Sequence, residues 1–202
     1  MRFGVGLLAA SFLAVACEPG AGENEWNDWT VTVYYTAVQS FYRGPGEIVR
    51  GCADFDCTDA NAEIGVLPDD FVDAVRDEGT GRITEGEYTG RYLNWSYDIG
   101  FWLDSEPRDA AGEVLQPYRS AAADGLGRGT RLRLADCGIV DIQNPEACDR
   151  FKAAEWTIGD EFLPGLGGPH HIDLYIGEET ADLFVDGQDF VIFAGAALEP
   201  IE

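Results

Sequence analysis

The sequence predicts an all-β protein, a small closed barrel of six short strands with one short helix and inserted loops. Six segments alternate apolar and polar residues or are rich in Val, Ile, Thr and aromatic residues, as strands are. Glycine-containing turns separate them, a pattern that favours a small closed barrel over a layered α/β fold. The predicted strands are residues 30–38, 91–103, 130–135, 153–158, 171–176 and 188–194.

One segment has the pattern of an amphipathic helix. Pro68 stands where the helix would begin, two aspartates follow in its first turn, and Gly79 lies just beyond its end. The apolar residues Phe71, Val72 and Val75 fall on one face. A helix between residues 68 and 79 is therefore predicted.

The N-terminus has the features of an export signal. Residues 3–16 are apolar or small, follow Arg2, and are too few to cross a bilayer as a helix, so residues 1–16 are predicted to be a signal peptide. The small residues before Cys17 fit the bacterial lipoprotein pattern, in which the cysteine sulfur is acylated. Ordinary signal peptidase cleavage nearby is the alternative. Lipidation would anchor the chain in the cell envelope, with residues 17–28 as a flexible tether.

Five cysteines in an exported protein leave one unpaired, and assigning Cys17 to a lipid leaves two pairs. The local pairings are Cys52 with Cys57 and Cys137 with Cys148, although four cysteines allow three connectivities. An oxidising compartment favours disulfides. Zinc ligation is the weaker interpretation, because no spacing is C-x-x-C and the chain has only two histidines.

The composition limits the classes of partner. The net charge is -24, which argues against nucleic acid or an anionic membrane surface as an electrostatic partner. Membrane association would come through the N-terminal lipid. After removal of the signal, about 185 residues remain, the size of one ordinary domain, predicted over residues 29–202.

The motifs of serine hydrolases, P-loop proteins, zinc proteases and dinucleotide-binding proteins are all missing, and nothing indicates a cofactor. Carboxylate chemistry remains. In the predicted strand 171–176, alternation places three aliphatic residues on one face and His171, Asp173 and Tyr175 on the other. Aspartate is depleted in strands. Asp173 therefore lies either on a solvated face or in a groove, where neighbouring rings would raise its pKa for acid catalysis.

Two more aspartates stand at the ends of predicted elements. Asp160 ends the strand 156–160, and Asp124 follows a run of small residues and precedes a glycine turn. Taken singly, each is typical of a turn former.

The order of these motifs is that of a known family pattern. It runs through Ala122-Ala-Asp124, Gly129-Thr130 before a strand, Trp156-Thr-Ile-Gly-Asp160, the glycine-rich link 165–168, and His171-Ile-Asp173-Leu-Tyr175. In this order the sequence resembles the 3D domain, named for its three aspartates, which shares the double-psi β-barrel with the catalytic part of MltA-type lytic transglycosylases.

The sequence also departs from that pattern. Gly125 replaces a usual proline, and Asp160-Glu-Phe replaces Asp-x-Gly. An insertion at about residues 136–152 would be closed by Cys137 and Cys148. Asp136-Cys-Gly138 is an alternative middle motif, which would leave Asp160 unassigned.

The resemblance implies a peptidoglycan-cleaving enzyme that needs no cofactor or metal. It would break the β-1,4 bond between N-acetylmuramic acid and N-acetylglucosamine and form a 1,6-anhydro sugar. Asp173 would be the general acid and base, with Asp160 and Asp124 polarising the site. Thr84, in an upstream turn, would line the groove with His171 and Tyr175, although the Thr84 segment also fits a plain hairpin loop.

Other interpretations stay open. The barrel could bind polysaccharide or serve a structural role in the envelope without cutting glycan. A metal site of His170, His171, Asp173 and Asp160 is weaker, since no clear third ligand accompanies the His171 and Asp173 pair. An aromatic stretch would either stack on sugars or pack in the core; it comprises Tyr92, Trp95, Tyr97, Phe101 and Trp102.

Overall fold

A computed structural model describes residues 25–55, 57, 60–140, 145–162 and 165–202. The predicted signal peptide, Cys17 and most of the predicted tether lie outside the described residues. Within the described part of the chain, no helix has the length and apolar composition needed to cross a membrane.

The described residues form twelve strands and two α-helices. The helices are α1 (Asp69–Glu78) and α2 (Pro145–Ala153), and short 3-10 turns cover Gln39–Phe41 and Phe184–Asp186. The strands are β1 (Trp29–Val38), β2 (Gly46–Cys52), β3 (Ala62–Pro68), β4 (Thr80–Arg82), β5 (Tyr92–Ser96), β6 (Gly100–Asp104), β7 (Ser120–Ala123), β8 (Arg131–Asp136), β9 (Ile139–Val140), β10 (Trp156–Asp160), β11 (His171–Glu178) and β12 (Phe193–Pro200).

Six of these strands close into a barrel. Their order is β1, β11, β7, β10, β8 and β12, and β12 pairs again with β1. The β1–β11 and β7–β10 pairs are parallel, and the other four pairs are antiparallel. Because every strand of the ring has two partners, the barrel has no open edge. The predicted fold class, mostly β with a closed six-stranded barrel, is confirmed.

The membership of the barrel differs from the prediction at one strand. Residues 91–103 form the hairpin β5–β6, which lies outside the ring. The missing strand is β7, whose sequence Ser-Ala-Ala-Ala carries little intrinsic strand preference. The predicted closing strand 188–194 is also displaced, because the observed strand β12 begins at Phe193.

A second sheet is inserted between β1 and β7, in the order β3-β2-β6-β5-β4. It joins the barrel where β4 pairs with the end of β1, at Ala37 and Val38. Helix α1 packs on this sheet through Phe71, Val72 and Val75, which are fully buried.

Helix α1 has the predicted ends. Pro68 precedes it, and Gly79 ends it in the left-handed conformation (φ 82°), which glycine adopts without strain. Helix α2 was not predicted; it lies within the segment assigned to an insertion except for its last residue, Ala153, which was predicted to begin a strand that the structure starts at Trp156. Both local disulfides, Cys52–Cys57 and Cys137–Cys148, are present.

Candidate active site

A row of four residues crosses neighbouring barrel strands. Thr32 of β1 pairs with Asp173 of β11, Asp173 pairs with Ala122 of β7, and Ala122 pairs with Asp160 of β10. Residues paired directly across strands point to the same face, so both carboxyl groups share a surface. Two strand spacings separate their backbones by about 9.6 Å, with only the Ala122 methyl group between them.

This row lies in a cleft of about 740 Å³ between the barrel and the second sheet. The barrel supplies Thr32, Tyr34, Asp160, His171 and Asp173 to its lining, whereas the second sheet and α1 supply the opposite wall. The volume is in the range of small-ligand sites. The structure therefore brings Asp160 and Asp173 together in one concave site.

Asp173 is the less acidic of the two carboxyl groups. Burial raises its pKa to about 7, and the negative charge of Asp160 adds to the increase, whereas hydrogen bonding from Thr32 opposes it. Its Oδ1 atom is buried without a hydrogen-bond partner among the described residues. Near neutral pH a large fraction of the molecules therefore carry a proton on this carboxyl group, which it can donate.

Asp160 is held by hydrogen bonds on both oxygens. Oδ1 accepts the backbone N–H groups of Ala110 and Glu161, each at 3.0 Å, and Oδ2 accepts the Tyr34 hydroxyl at 3.3 Å. Burial nevertheless raises the pKa of Asp160 to about 6, with a further increase from the charge of Asp109. Asp160 thus loses its proton at a lower pH than Asp173, so that between the two pKa values Asp160 is charged while Asp173 is still protonated.

His171 lines the cleft beside Asp173. Its Nε2 atom and the Thr32 hydroxyl are 2.9 Å apart, and its ring packs against that of Phe162 at 4.5 Å between centroids. Burial lowers the pKa of the imidazole, while the nearby carboxylate of Asp124 acts in the opposite direction. The neutral ring is therefore favoured near neutral pH.

Asp124, the first predicted aspartate, is exposed and does not line the cleft. Its carboxylate lies against Gly167, where a Cβ atom would collide with it. The structure thus leaves Asp124 outside the cleft lining but close enough to His171 to act on its pKa.

Two residues predicted to contact substrate lie elsewhere. Tyr175 is only 1% exposed, and its hydroxyl is 2.5 Å from that of Thr36. The backbone N–H of Thr84 donates to Gln39 Oε1 at 2.9 Å. Neither side chain lines the cleft, so its predicted contact with sugar gains no support from this geometry.

Glu78 is a site residue that sequence reasoning missed. It ends α1 on the opposite wall of the cleft, where Oε2 accepts the Tyr35 N–H at 3.1 Å. Burial raises its pKa to about 8, and the charges of Asp173 and other acidic neighbours add to the increase. The sequence placed Glu78 at a helix end, but nothing local indicated that this end faces Asp173.

The aromatic stretch divides between two roles. Trp95 and Tyr97 line the cleft, and Tyr97 is 71% exposed, whereas Trp102 is fully buried in the core. Packing in the core is therefore observed for Trp102, whereas stacking on sugars stays a prediction for Trp95 and Tyr97.

The proposed metal ligands do not form a cluster. Within the described residues, no group of three or more His, Cys, Asp and Glu side chains is arranged to hold a metal ion. The His170 ring instead stacks on Trp29, with 5.2 Å between centroids.

Comparison with known proteins gives structural matches alone. The sequence matches no protein-family model, and no curated protein matches it. The membrane-bound lytic murein transglycosylase of Agrobacterium tumefaciens is similar in structure, with 12% identity, a TM-score of 0.50, and coverage of 85% of this chain and 74% of that one.

Two further solved structures are similar at lower scores. E. coli MltA with bound chitohexaose has 13% identity and a TM-score of 0.49, covering 86% of this chain and 72% of that one. The lytic transglycosylase LtgG of Burkholderia pseudomallei has 16% identity and a TM-score of 0.39, covering 87% and 73%. At such identities the similarity is one of fold alone. Of the three structures, the one from Agrobacterium tumefaciens, with a TM-score of 0.50, supports that similarity.

Proposed function

We propose that this protein is a lytic transglycosylase that cleaves the glycan strands of peptidoglycan, with Asp173 as its general acid and base. One observation carries the proposal: Asp173 is a half-buried carboxyl group, with its pKa raised to about 7, on the floor of a cleft large enough for sugar residues. The structural likeness to a lytic murein transglycosylase supports the same chemistry. The double-psi topology of the barrel is part of this proposal.

The reaction needs a single proton-transferring group. Asp173 donates its proton to the glycosidic oxygen as the bond from that oxygen to the anomeric carbon breaks. The resulting Asp173 carboxylate then takes the proton of the 6-hydroxyl group of the same muramyl residue. That oxygen attacks the anomeric carbon, forming the 1,6-anhydro ring and restoring the acid.

Asp160 would act by its charge. Both of its oxygens already accept hydrogen bonds, from Ala110, Glu161 and Tyr34, so it is poorly placed to attack carbon as a nucleophile. Its earlier ionisation provides a negative charge that stabilises the positively charged sugar in the transition state. The same charge helps to keep Asp173 protonated.

Product analysis tests the proposal. Mature protein should release 1,6-anhydromuropeptides from purified peptidoglycan, detected by mass spectrometry, and Asp173→Asn should lower the rate by about 10²-fold or more while glycan binding persists. Asp182→Asn, which alters an exposed aspartate outside the cleft lining, is the matched control. Reducing-end products would instead indicate hydrolysis by water.

A non-catalytic glycan-binding barrel is the second candidate. The exposed Tyr97 ring and the neighbouring Trp95 favour it, because aromatic rings can bind sugars without any carboxyl group. Binding without product release, unaffected by Asp173→Asn, would establish this candidate and rule out the enzyme.

The cell-envelope location and the lipid on Cys17 belong to the proposal as well. The two disulfides support export to an oxidising compartment. Metabolic labelling with a radioactive fatty acid should mark the wild-type chain and leave Cys17→Ser unlabelled.

A further inference from the structure

A second cavity adjoins the cleft and shares one side chain with it. This side cavity has a volume of about 470 Å³ and is lined by Asp109, Gln116, Arg119, Ser120, Arg128 and Thr157, among others. Arg128 lines both spaces. A group bound along the cleft could therefore extend a substituent past Arg128 into the side cavity.

Arg128 has hydrogen-bonding capacity to spare. Of the three arginines in the cleft lining, Arg76 pairs with Asp73 and Glu47, and Arg108 pairs with Asp104 at 2.6 Å. Arg128 makes one long contact, from Nη1 to Asp109 Oδ2 at 3.3 Å, and its side chain is 38% exposed. Its remaining N–H groups have no partner among the described residues.

Arg119 is the second arginine of the side cavity. Its side chain lines the side cavity and makes no hydrogen bond or ion pair with the described residues. The cavity therefore presents two guanidinium groups with free donors, in a chain whose net charge is -24.

The acidic residues of the side cavity leave room for an anion. Asp109 is 3% exposed, and its Oδ1 accepts the N–H groups of Ala111 and Glu113, at 2.9 and 2.8 Å. Its negative charge is thus satisfied internally, while it orients Arg128. Glu113 is exposed, and it is the other acidic residue in the lining.

We infer that the side cavity binds a carboxylate substituent of the glycan through Arg119 and Arg128. Guanidinium groups are suited to carboxylates, because they can donate two parallel hydrogen bonds. The inference rests on the proposed function, since peptidoglycan offers carboxylates of two kinds: the lactyl carboxylate of a muramyl residue without a stem peptide, and the carboxylates of the stem peptide where one is attached. A neutral N-acetylglucosamine polymer offers none.

The test measures affinity for three glycans by calorimetry, in the Asp173→Asn background so that no turnover occurs. The glycans are a chito-oligosaccharide, a peptide-free glycan with free lactyl carboxylates, and a glycan that carries stem peptides. The quantity compared between variants is the affinity for a carboxylate glycan divided by the affinity for the chito-oligosaccharide. A change that weakens the binding of both glycans equally leaves this ratio unchanged.

We expect the Asp173→Asn protein with both arginines intact to bind a carboxylate glycan more tightly than the chito-oligosaccharide. Adding either Arg119→Gln or Arg128→Gln should reduce that preference by about tenfold at low salt. Arg128→Lys should retain part of it, and Glu113→Gln should increase it. The paired substitution Arg131→Gln with Arg133→Gln is the control, because it removes two exposed charges outside both linings. Preference for the peptide-free or the peptide-bearing glycan identifies which carboxylate is bound.

Arg119→Gln keeps the experiment decisive if Arg128→Gln destabilises the fold, since the Arg119 side chain is exposed and has no hydrogen bond or ion pair with the described residues to lose. Equal affinity for all three glycans, or a preference that survives both substitutions, would overturn the inference. Release of anhydro products by the wild type would then still uphold the proposed function. If no glycan binds and none is cleaved, both are wrong.

Discussion

Replacing Asp173 by asparagine should make the protein more stable at pH 8, although it removes the proposed catalytic acid. Burial raises the pKa of the folded-state carboxyl group from 3.8 to about 7. As pH rises through this interval, the unfolded chain loses its proton first, so the carboxyl group lowers the free energy of unfolding progressively. Asparagine has nearly the same shape and never ionises.

The magnitude follows from the size of the shift. A change from 3.8 to about 7 corresponds to about 4 kcal/mol at pH 8, at 1.36 kcal/mol per pKa unit. Asp173 faces the cleft and is only partly shielded from solvent, so we expect a gain of about 2 kcal/mol or more. At pH 4 the carboxyl group is neutral in the folded protein and about half ionised in the unfolded chain, so the difference should fall below about 1 kcal/mol.

Urea denaturation of the wild type and Asp173→Asn at pH 4 and pH 8 measures these differences. Asp182→Asn, at an exposed position, should change the free energy of unfolding by less than about 0.5 kcal/mol at either pH. Loss of stability in Asp173→Asn at pH 8, or a gain of the same size at both pH values, would refute the argument that a buried, protonated carboxyl group occupies this position.

Two further predictions concern the site and the scaffold. In a pH-rate profile, the wild-type value of kcat/KM should fall above about pH 7 as Asp173 ionises. Asp160→Asn should move this fall to lower pH, because it removes a charge that raises the pKa of Asp173. Movement to higher pH would contradict the prediction. Replacing both Cys137 and Cys148 by serine should cost about 3 kcal/mol in urea denaturation, and replacing Cys52 and Cys57 about 2 kcal/mol, because the sequence separations are 11 and 5. The reverse order of losses would show that loop closure does not govern them.

Features set by neighbouring residues could be predicted from the sequence. The ends of α1 follow from Pro68, the aspartates of its first turn and Gly79, all of which act within one helical turn. Strand β11 has a clear alternation, which also marked Asp173 as an unusual residue within a strand. The two disulfides join cysteines that are close in sequence, so that local pairing was the natural expectation.

Pairing between distant segments could not be predicted in this way. Strand β7 belongs to the barrel because β10 and β11 pair with its two edges, although its alanines have weak strand preference. Residues 91–103, with stronger preference, form a hairpin in the second sheet instead. Whether a strand belongs to the six-stranded barrel thus depends on the strands that pair with it and on the face that it buries.

The composition of the site shows the same division. The sequence alone indicated that Asp173 and Asp160 end or interrupt strands, but it treated Asp124 as their equal. Register aligns Asp173 and Asp160 on either side of Ala122, whereas Asp124 is exposed and outside the cleft lining, so that its role in polarising the site stays a prediction.

Residues that approach the site from elsewhere in the chain depended on tertiary structure altogether. Glu78 reaches the cleft from α1, and Thr32 meets His171 across 139 residues of sequence. The sequence by itself thus determined the local elements and one chemically unusual aspartate, because those depend on neighbours along the chain. The tertiary structure decided which groups surround that aspartate and keep it protonated, because burial and charge depend on neighbours in space.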